Sequence, residues 1–253
     1  VAGGRMRTDM CLFDGTNFES IVPHASNALG LVGSAGQDDG RVLYVADLDG
    51  SGPLPRSLIV AGRFHGAGDV VSPNVIGFNG ASYFPMPVGA SAALCDGVDF
   101  NGSPAFFDFA TFNDGTGQKV YAASSNGVLV WSGAAWEKFA DAPGFVRRLA
   151  VFNDGSGPAL WALGGFSMIE GVPARGCAKW DGSTWIATDN GFAVAAMPSN
   201  VFLNSVGVVN FGSGDLLLAS GEDYTDDDVL GEDFLEVYVG GQWVPFNGVP
   251  AFG

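Results

Sequence analysis

An all-β fold built from repeated four-stranded antiparallel units is what this sequence predicts, and three observations carry that reading. The chain repeats itself: LAVFNDGSGPALWALGG at residues 149–165 returns as ATFNDGTGQKVYAAS at 110–124 and more loosely as ADLDGSGPLPRSLIVAG at 46–62. GCAKWDGSTW at 176–185 returns as MCLFDGTNF, VIGFNGASYF, VLVWSGAAW and VYVGGQW. Thirty-nine Gly and 13 Pro, spread along 253 residues, mark many turns between many short strands. Self-similarity with a period of tens of residues is the signature of stacked supersecondary units.

The clearest copy resolves into four strands. A short apolar run, Arg147 to Phe152, leads into the turn Asn153-Asp154-Gly155-Ser156-Gly157, whose glycines supply the positive φ of a tight connection. Ala159 to Leu163 is the second run, ended by Gly164-Gly165. A polar link leads to Gly176–Trp180, the Asp181-Gly182 turn, and a fourth strand from Ser183 to Ile186. Strand, Asp-Gly, strand is the strongest short-range hairpin signal a sequence offers. The strands are named a, b, c and d below.

An aromatic residue ends strand c at Phe13, Phe78, Trp131, Trp180 and Tyr238, at intervals of 49 to 65 residues. A second aromatic follows each by five residues: Phe18, Tyr83, Trp136, Trp185 and Trp243. The constant offset across variable intervals makes the hairpin the fixed geometry and the links loops. Rings of this size bury on the order of 150–250 Å² each, so they are expected to pack between neighbouring sheets. Four-stranded units of about 50 residues in series make a β-propeller, and five hairpins make five blades. The units fall at about residues 1–38, 39–103, 104–143, 144–198 and 199–253 of a single domain.

The first blade reads as incomplete. VAGG at residues 1–4 matches the end of strand b, which places strand a of that blade outside the N-terminus. Either the C-terminal stretch 249–253 supplies it and closes the ring, or the chain is a fragment of a larger propeller; Pro250 weakens the stretch as a strand.

The formal net charge is −16, from 27 acidic against 11 basic residues, which argues against nucleic acid and anionic lipid as partners. No run of about 18 apolar residues is present, so no membrane span is expected. An acidic surface suits a secreted or cell-surface protein. Cys11, Cys95 and Cys177 form no CxxC pair and no metal-ligand spacing; Cys11 and Cys177 read as small buried residues within strands.

With the repeat written out, the chain resembles kelch-like propellers, in which a Gly-Gly pair ends strand b, an acidic residue sits in the c–d turn and a Trp lies in strand d. Gly164-Gly165, Asp181 and Trp185 hold those places here. The chain is most similar to bacterial secreted propeller repeats of the form FNDGSGPALY…GG…VAKWDGSSW, which Phe152–Trp161 and Ala178–Trp185 match almost position for position. The resemblance implies a propeller fold and an extracellular setting. It carries over no ligand site, because such folds host many functions. The third unit departs with Ala123-Ser124 in place of the Gly pair, and the fifth with a shortened turn at Gly212-Ser213-Gly214 and a long acidic link.

Two segments are candidate calcium sites. Asp47, Asp49 and Ser51 alternate along DLDGSG, as oxygen ligands do at the start of a calcium loop. The bland alternative is an Asx-type turn, in which Asp bonds its own backbone. The same choice applies to Asp114 and Asp154. In GEDYTDDDVLGEDF, Asp226, Asp227 and Asp228 lie among seven carboxylates that repel one another unless a cation or solvent screens them.

Enzyme chemistry finds little support: there are two His, His24 and His65, and no GxSxG, HExxH or phosphate-cradling loop. The expected function is therefore a non-catalytic extracellular binding or structural module, with a protein or glycan partner at variable loops, first among them residues 91–103 and 222–233. The alternatives are a lectin-like propeller with equivalent pockets on several blades, and a glycoside-cleaving propeller with two carboxylates converging from different blades.

Overall fold

The computed structural model describes residues 11–13, 18–20, 31–32, 39–46, 54, 56–63, 66–67, 69–92, 105–125, 127–188, 192, 201–212, 214–223 and 232–246. Its strands are β1 (Cys11–Phe13), β2 (Phe18–Ser20), β3 (Leu31–Val32), β4 (Asp39–Ala46), β5 (Ser57–Arg63), β6 (Gly66–Ala67), β7 (Val70–Val71), β8 (Val75–Phe78), β9 (Tyr83–Pro85), β10 (Phe106–Asn113), β11 (Gln118–Ser124) and β12 (Gly127–Trp131). They continue with β13 (Trp136–Asp141), β14 (Gly144–Asn153), β15 (Pro158–Phe166), β16 (Met168–Ile169), β17 (Val172–Pro173), β18 (Cys177–Trp180), β19 (Trp185–Ala187), β20 (Val201–Asn210), β21 (Asp215–Asp223), β22 (Glu232–Val239) and β23 (Gln242–Pro245).

Four antiparallel sheets follow one another with the same order of strands a, b, c and d. They are β4-β5-β8-β9, β10-β11-β12-β13, β14-β15-β18-β19 and β20-β21-β22-β23, here sheets 2 to 5; β1-β2 is the hairpin of the first unit. In all five, the two marker residues are register partners across the c–d pair: Phe13 with Phe18, Phe78 with Tyr83, Trp131 with Trp136, Trp180 with Trp185 and Tyr238 with Trp243.

The sheets stack face to face through shared apolar layers. Ile59, Ala61 and Val75 of sheet 2 meet Phe109, Leu129 and Trp136 of sheet 3. Tyr121 and Ala123 of sheet 3 meet Leu149, Leu160 and Trp185 of sheet 4. Trp161 and Leu163 of sheet 4 meet Leu217, Tyr238 and Trp243 of sheet 5. The a strands run beside one another in series, β4 by β10, β10 by β14 and β14 by β20. Among the described residues no helix is long and apolar enough to cross a membrane.

Register corrects four details of the sequence reading. Strand b of the fourth unit does not end at Gly164-Gly165 but runs through to Phe166, because Gly164 admits a close neighbour: a Cβ there would lie 2.2 Å from the Phe145 carbonyl oxygen. The third unit places Ser124, not Ala123, opposite β10 where Gly164 stands opposite β14, since Ser124 pairs with Phe106 and Gly164 with Val146. The fifth a–b turn is not shortened. Asn210 pairs with Asp215 as Asn153 pairs with Pro158 and Asn113 with Gln118, with Phe211 standing where the others carry Asp. The b–c links are not all loops either: β16 and β17 form a small hairpin in unit four, and β6 and β7 form one in unit two that pairs with β3.

The first unit's expected strand b, the C-terminal stretch, the Asp47–Ser51 turn and residues 224–231 of the acidic link lie outside the described residues, whereas the ends of that link are strand and not loop, Glu222 pairing with Asp233 and Asp223 with Glu232. The start of the link at 91–103 is fastened to sheet 3. Gly89 N–H donates to the Trp136 carbonyl at 2.8 Å, Trp136 N–H donates to Pro87, and the Ser91 hydroxyl donates to Glu137. That segment covers the outer edge of β13, which would otherwise present unpaired backbone groups.

Candidate functional site

The turn motif is the first place where the sequence put chemistry. In sheets 3 and 4 the turn glycines adopt nearly the same positive φ, +93° and +117° at Gly115 and Gly117, +100° and +117° at Gly155 and Gly157. The Asn113 Oδ1 accepts the N–H groups of Gly115 and Gly117 at 2.9 and 3.2 Å, and Asn153 does the same for Gly155 and Gly157 at 2.9 and 3.0 Å. Asp114 Oδ1 then accepts both the backbone N–H and the hydroxyl of Thr116, as Asp154 Oδ1 does with Ser156. These are Asx-type turns.

The second carboxylate oxygen of each Asp faces an ammonium. Lys119 Nζ lies 2.7 Å from Asp114 Oδ2, and the Tyr121 hydroxyl donates to the same oxygen at 3.2 Å. In sheet 4 the partner of Asp154 is Lys179, which also donates to Ser156 and lies 5.6 Å from the centre of the Trp161 ring. The two lysines come from different strands. Lys119 is on strand b, where sheet 4 has Ala159; Lys179 is on strand c, where sheet 3 has Val130. Burial acts to raise both carboxyls, but the hydrogen bonds from lysine and from Thr116 or Ser156 outweigh it, holding Asp114 at about 2 and Asp154 below its ordinary value.

Asp47, Asp49, Ser51, Asp226, Asp227 and Asp228 all lie outside the described residues, so the structure brings none of them together. Among the described residues no group of three or more His, Cys, Asp or Glu could hold a metal ion. The strands flanking the Asp47 turn are described. Register places Ser57 where sheet 3 has Lys119, and Gly77 where sheet 4 has Lys179. Ser57 is buried, and a Cβ on Gly77 would strike the Phe84 ring at 2.1 Å.

A second constellation was not anticipated. Each a strand carries one extra residue at the same register step: Arg41 in β4, Phe107 in β10, Arg147 in β14 and Asn204 in β20. Such β-bulges bend a strand and re-aim side chains, and they concentrate near functional sites. The carbonyls of three bulge residues converge on one guanidinium. Arg148 Nη1 donates to the Arg147 carbonyl at 2.9 Å and to that of Phe107 at 3.4 Å, while Nη2 donates to that of Asn204.

The residue after the bulge reaches to the next sheet in two successive cases. Asp108 Oδ2 accepts the Leu149 N–H at 3.0 Å, and Arg148 grips Asn204. The other Asp108 oxygen accepts the Phe109 N–H. Burial pushes the Asp108 carboxyl up, against the pull of those N–H groups and of the Arg148 charge. The Arg147 guanidinium lies over the Phe107 ring at 4.9 Å and near the Phe145 ring at 5.4 Å. Because all four described a strands contain the extra residue, repeat alignment alone cannot reveal it. The visible signal was the charge in VRRLA and FFDFA at a place where a plain strand would be apolar.

A shallow groove of about 190 Å³ opens beside the third sheet, between Thr116, Lys119, Trp131, Ser132 and Phe139. The Cys177 thiol is free and buried between sheets 4 and 5, where burial pushes it up to about 12 and leaves it unreactive. No protein family, curated protein or solved structure matches this chain.

Proposed function

We propose that the chain is a five-unit β-propeller serving as a non-catalytic extracellular binding module, with partner contacts at its variable links and at the bulge junction. The equal strand order of four stacked sheets, the neighbouring a strands and the five paired aromatics support the propeller. One observation carries the non-catalytic reading. The Asp108, Asp114 and Asp154 carboxylates are committed to backbone N–H groups, hydroxyls or lysines, whereas glycoside cleavage needs an acid and a base held free toward substrate.

The test is to offer glycosides, neutral and acidic glycans and extracellular proteins to the pure chain, and to follow binding and bond cleavage together. Binding without turnover, lost when 93–103 and 224–231 are replaced by neutral loops or when Arg147 is changed, is the expected result. Sustained turnover would overturn the reading. The lectin alternative draws on the groove at Trp131 and Phe139, but sheet 4 carries Pro158, Ala159 and Lys179 where that groove has Gln118, Lys119 and Val130.

A calcium ion is a further part of the proposal, at Asp47, Asp49 and Ser51. Where a turn carboxylate is present in sheets 3 and 4, a lysine neutralises it; in sheet 2 neither of those lysine positions holds one.

A further inference from the structure

Strand d lies at the outer edge of each sheet, and in sheet 3 the incoming link caps that edge. The Pro87 carbonyl accepts the Trp136 N–H and the Gly89 N–H donates to the Trp136 carbonyl, both at 2.8 Å. Ser91 Oγ accepts the Lys138 N–H at 3.2 Å, while its hydroxyl donates to the Glu137 carboxylate. Between them Val88 bridges to Trp136 in parallel and packs against the layer shared with sheet 2. The link into sheet 5 also arrives at its strand d, where the Phe192 ring centre lies 5.0 Å from that of Trp243.

Sheet 4 receives no such cover from its incoming link, because only Ala142 and Pro143 stand between β13 and β14. Two residues extend about 7 Å and four paired strands are about 14 Å across, so this link cannot reach β19. Register makes Trp185 the counterpart of Trp136, Ile186 of Glu137 and Ala187 of Lys138. Both hairpins close with the same bond, Ser132 N–H to the Ala135 carbonyl and Asp181 N–H to that of Thr184. Alternation along an antiparallel pair then directs the Trp185 N–H, the Trp185 carbonyl and the Ala187 N–H away from β18. Among the described residues no strand pairs with that edge; β17, which stands near β19, pairs with β16. Ile186, beside those groups, is 39% exposed. A row of unpaired backbone groups is a template for an added strand.

Building on the binding-module reading, we propose that β19 takes up an extended, non-acidic segment of a partner protein as a fifth, parallel strand of sheet 4. The capping segment of sheet 3 shows the form it takes: a carbonyl acceptor, an apolar residue, then a glycine N–H donor. A second copy of this chain cannot offer its own residues 87–91, which are bonded to its sheet 3. The net charge of −16 disfavours an acidic segment.

The intact chain is titrated with the end-capped peptide MPVGASA, a copy of residues 86–92, while backbone amide NMR follows both edges. Saturable shifts centred on β19 are expected. The same peptide with Gly89→Pro, which lacks the donor N–H, is expected to bind about tenfold or more weakly. Ile186→Glu supplies the carboxylate that Glu137 offers Ser91, and is expected to bind MPVGASA about tenfold tighter than the native chain does. The proposal is overturned by no saturable binding, by shifts at β13 in place of β19, or by equal binding of the Gly89→Pro peptide. A folded Ile186→Glu chain that binds MPVGASA no tighter overturns it too. Such a failure would leave the binding-module reading standing, since that reading falls only on turnover.

Discussion

Lys179 is ion-paired with Asp154 across 25 residues of sequence, from the third strand of its sheet to the turn between the first two. Both side chains are largely shielded, with 10% and 14% of their surface exposed. The pair therefore fixes the a–b turn to the body of the sheet. Lys179→Met should destabilise the protein by about 2 kcal/mol, the scale of a hydrogen bond to a charged group left unmade. Adding Asp154→Asn should recover part of that loss, and urea unfolding of the two single variants and the double variant measures the coupling.

The equivalent pair in sheet 3 makes a pH prediction. Asp114 sits at about 2 in the folded chain, against an unfolded carboxyl near about 3.9. A depressed carboxyl contributes stability that is present above the unfolded value and is lost as pH falls through the folded one. Stability from this pair should be complete above pH about 4 and fade down to about 2. Lys119→Met should narrow that window from below, as read by carboxyl NMR titration of Asp114 and by unfolding at each pH.

The hairpins were the most legible part of the sequence, because an aromatic at each end of a fixed two-strand span leaves a mark that survives variable links. Trp131 with Trp136 and Tyr238 with Trp243 sit as that spacing demands. What was illegible turned on single residues. The bulge at Arg147 recurs in the other described a strands and so leaves no offset between copies, only the charge in VRRLA, and Phe211 in place of Asp disguises a turn of unchanged length. Lys119 and Lys179 do the same work from different strands, so no one position reveals them. Contacts across the strand order decide such features, and local pattern does not reach that far.

Trp136 tests the packing between sheets. It is fully buried, 5.5 Å from the ring centres of both Phe106 and Trp131 and 5.6 Å from that of Phe109, all within the layer shared with sheet 2. Trp136→Ala should cost about 3–5 kcal/mol, as removal of a large buried ring does. Denaturant unfolding with an unchanged slope would locate the loss in the folded state.

Gly164 explains one half of the Gly-Gly pair by backbone proximity. A Cβ there would lie 2.2 Å from the Phe145 oxygen and 2.8 Å from the Arg147 nitrogen, both atoms of the neighbouring bulged strand. Gly164→Ala must push β14 and β15 apart, at a cost of about 1–3 kcal/mol. Gly155→Ala, with open space around its Cβ but a φ of +100°, should show only the backbone strain. A smaller loss at Gly164 than at Gly155 would refute the steric account; thermal unfolding of both variants decides it.

The turn of sheet 2 completes the comparison among copies. Ala46 pairs with Ser57, a turn four residues longer than the step from Phe152 to Ala159, and its sequence carries Asp47 and Asp49. With Ser57 and Gly77 at the positions that hold lysine in the other sheets, the negative charge of this turn needs a different partner. A calcium ion is the partner proposed here. Calcium binding should raise the melting temperature with calcium concentration, by linkage to the folded state. Asp49→Asn should abolish that rise, while Asp154→Asn, whose carboxylate already faces Lys179, should leave it intact. A melting temperature indifferent to calcium would overturn the calcium proposal and leave an Asx-type turn, in which Asp bonds its own backbone, as the reading.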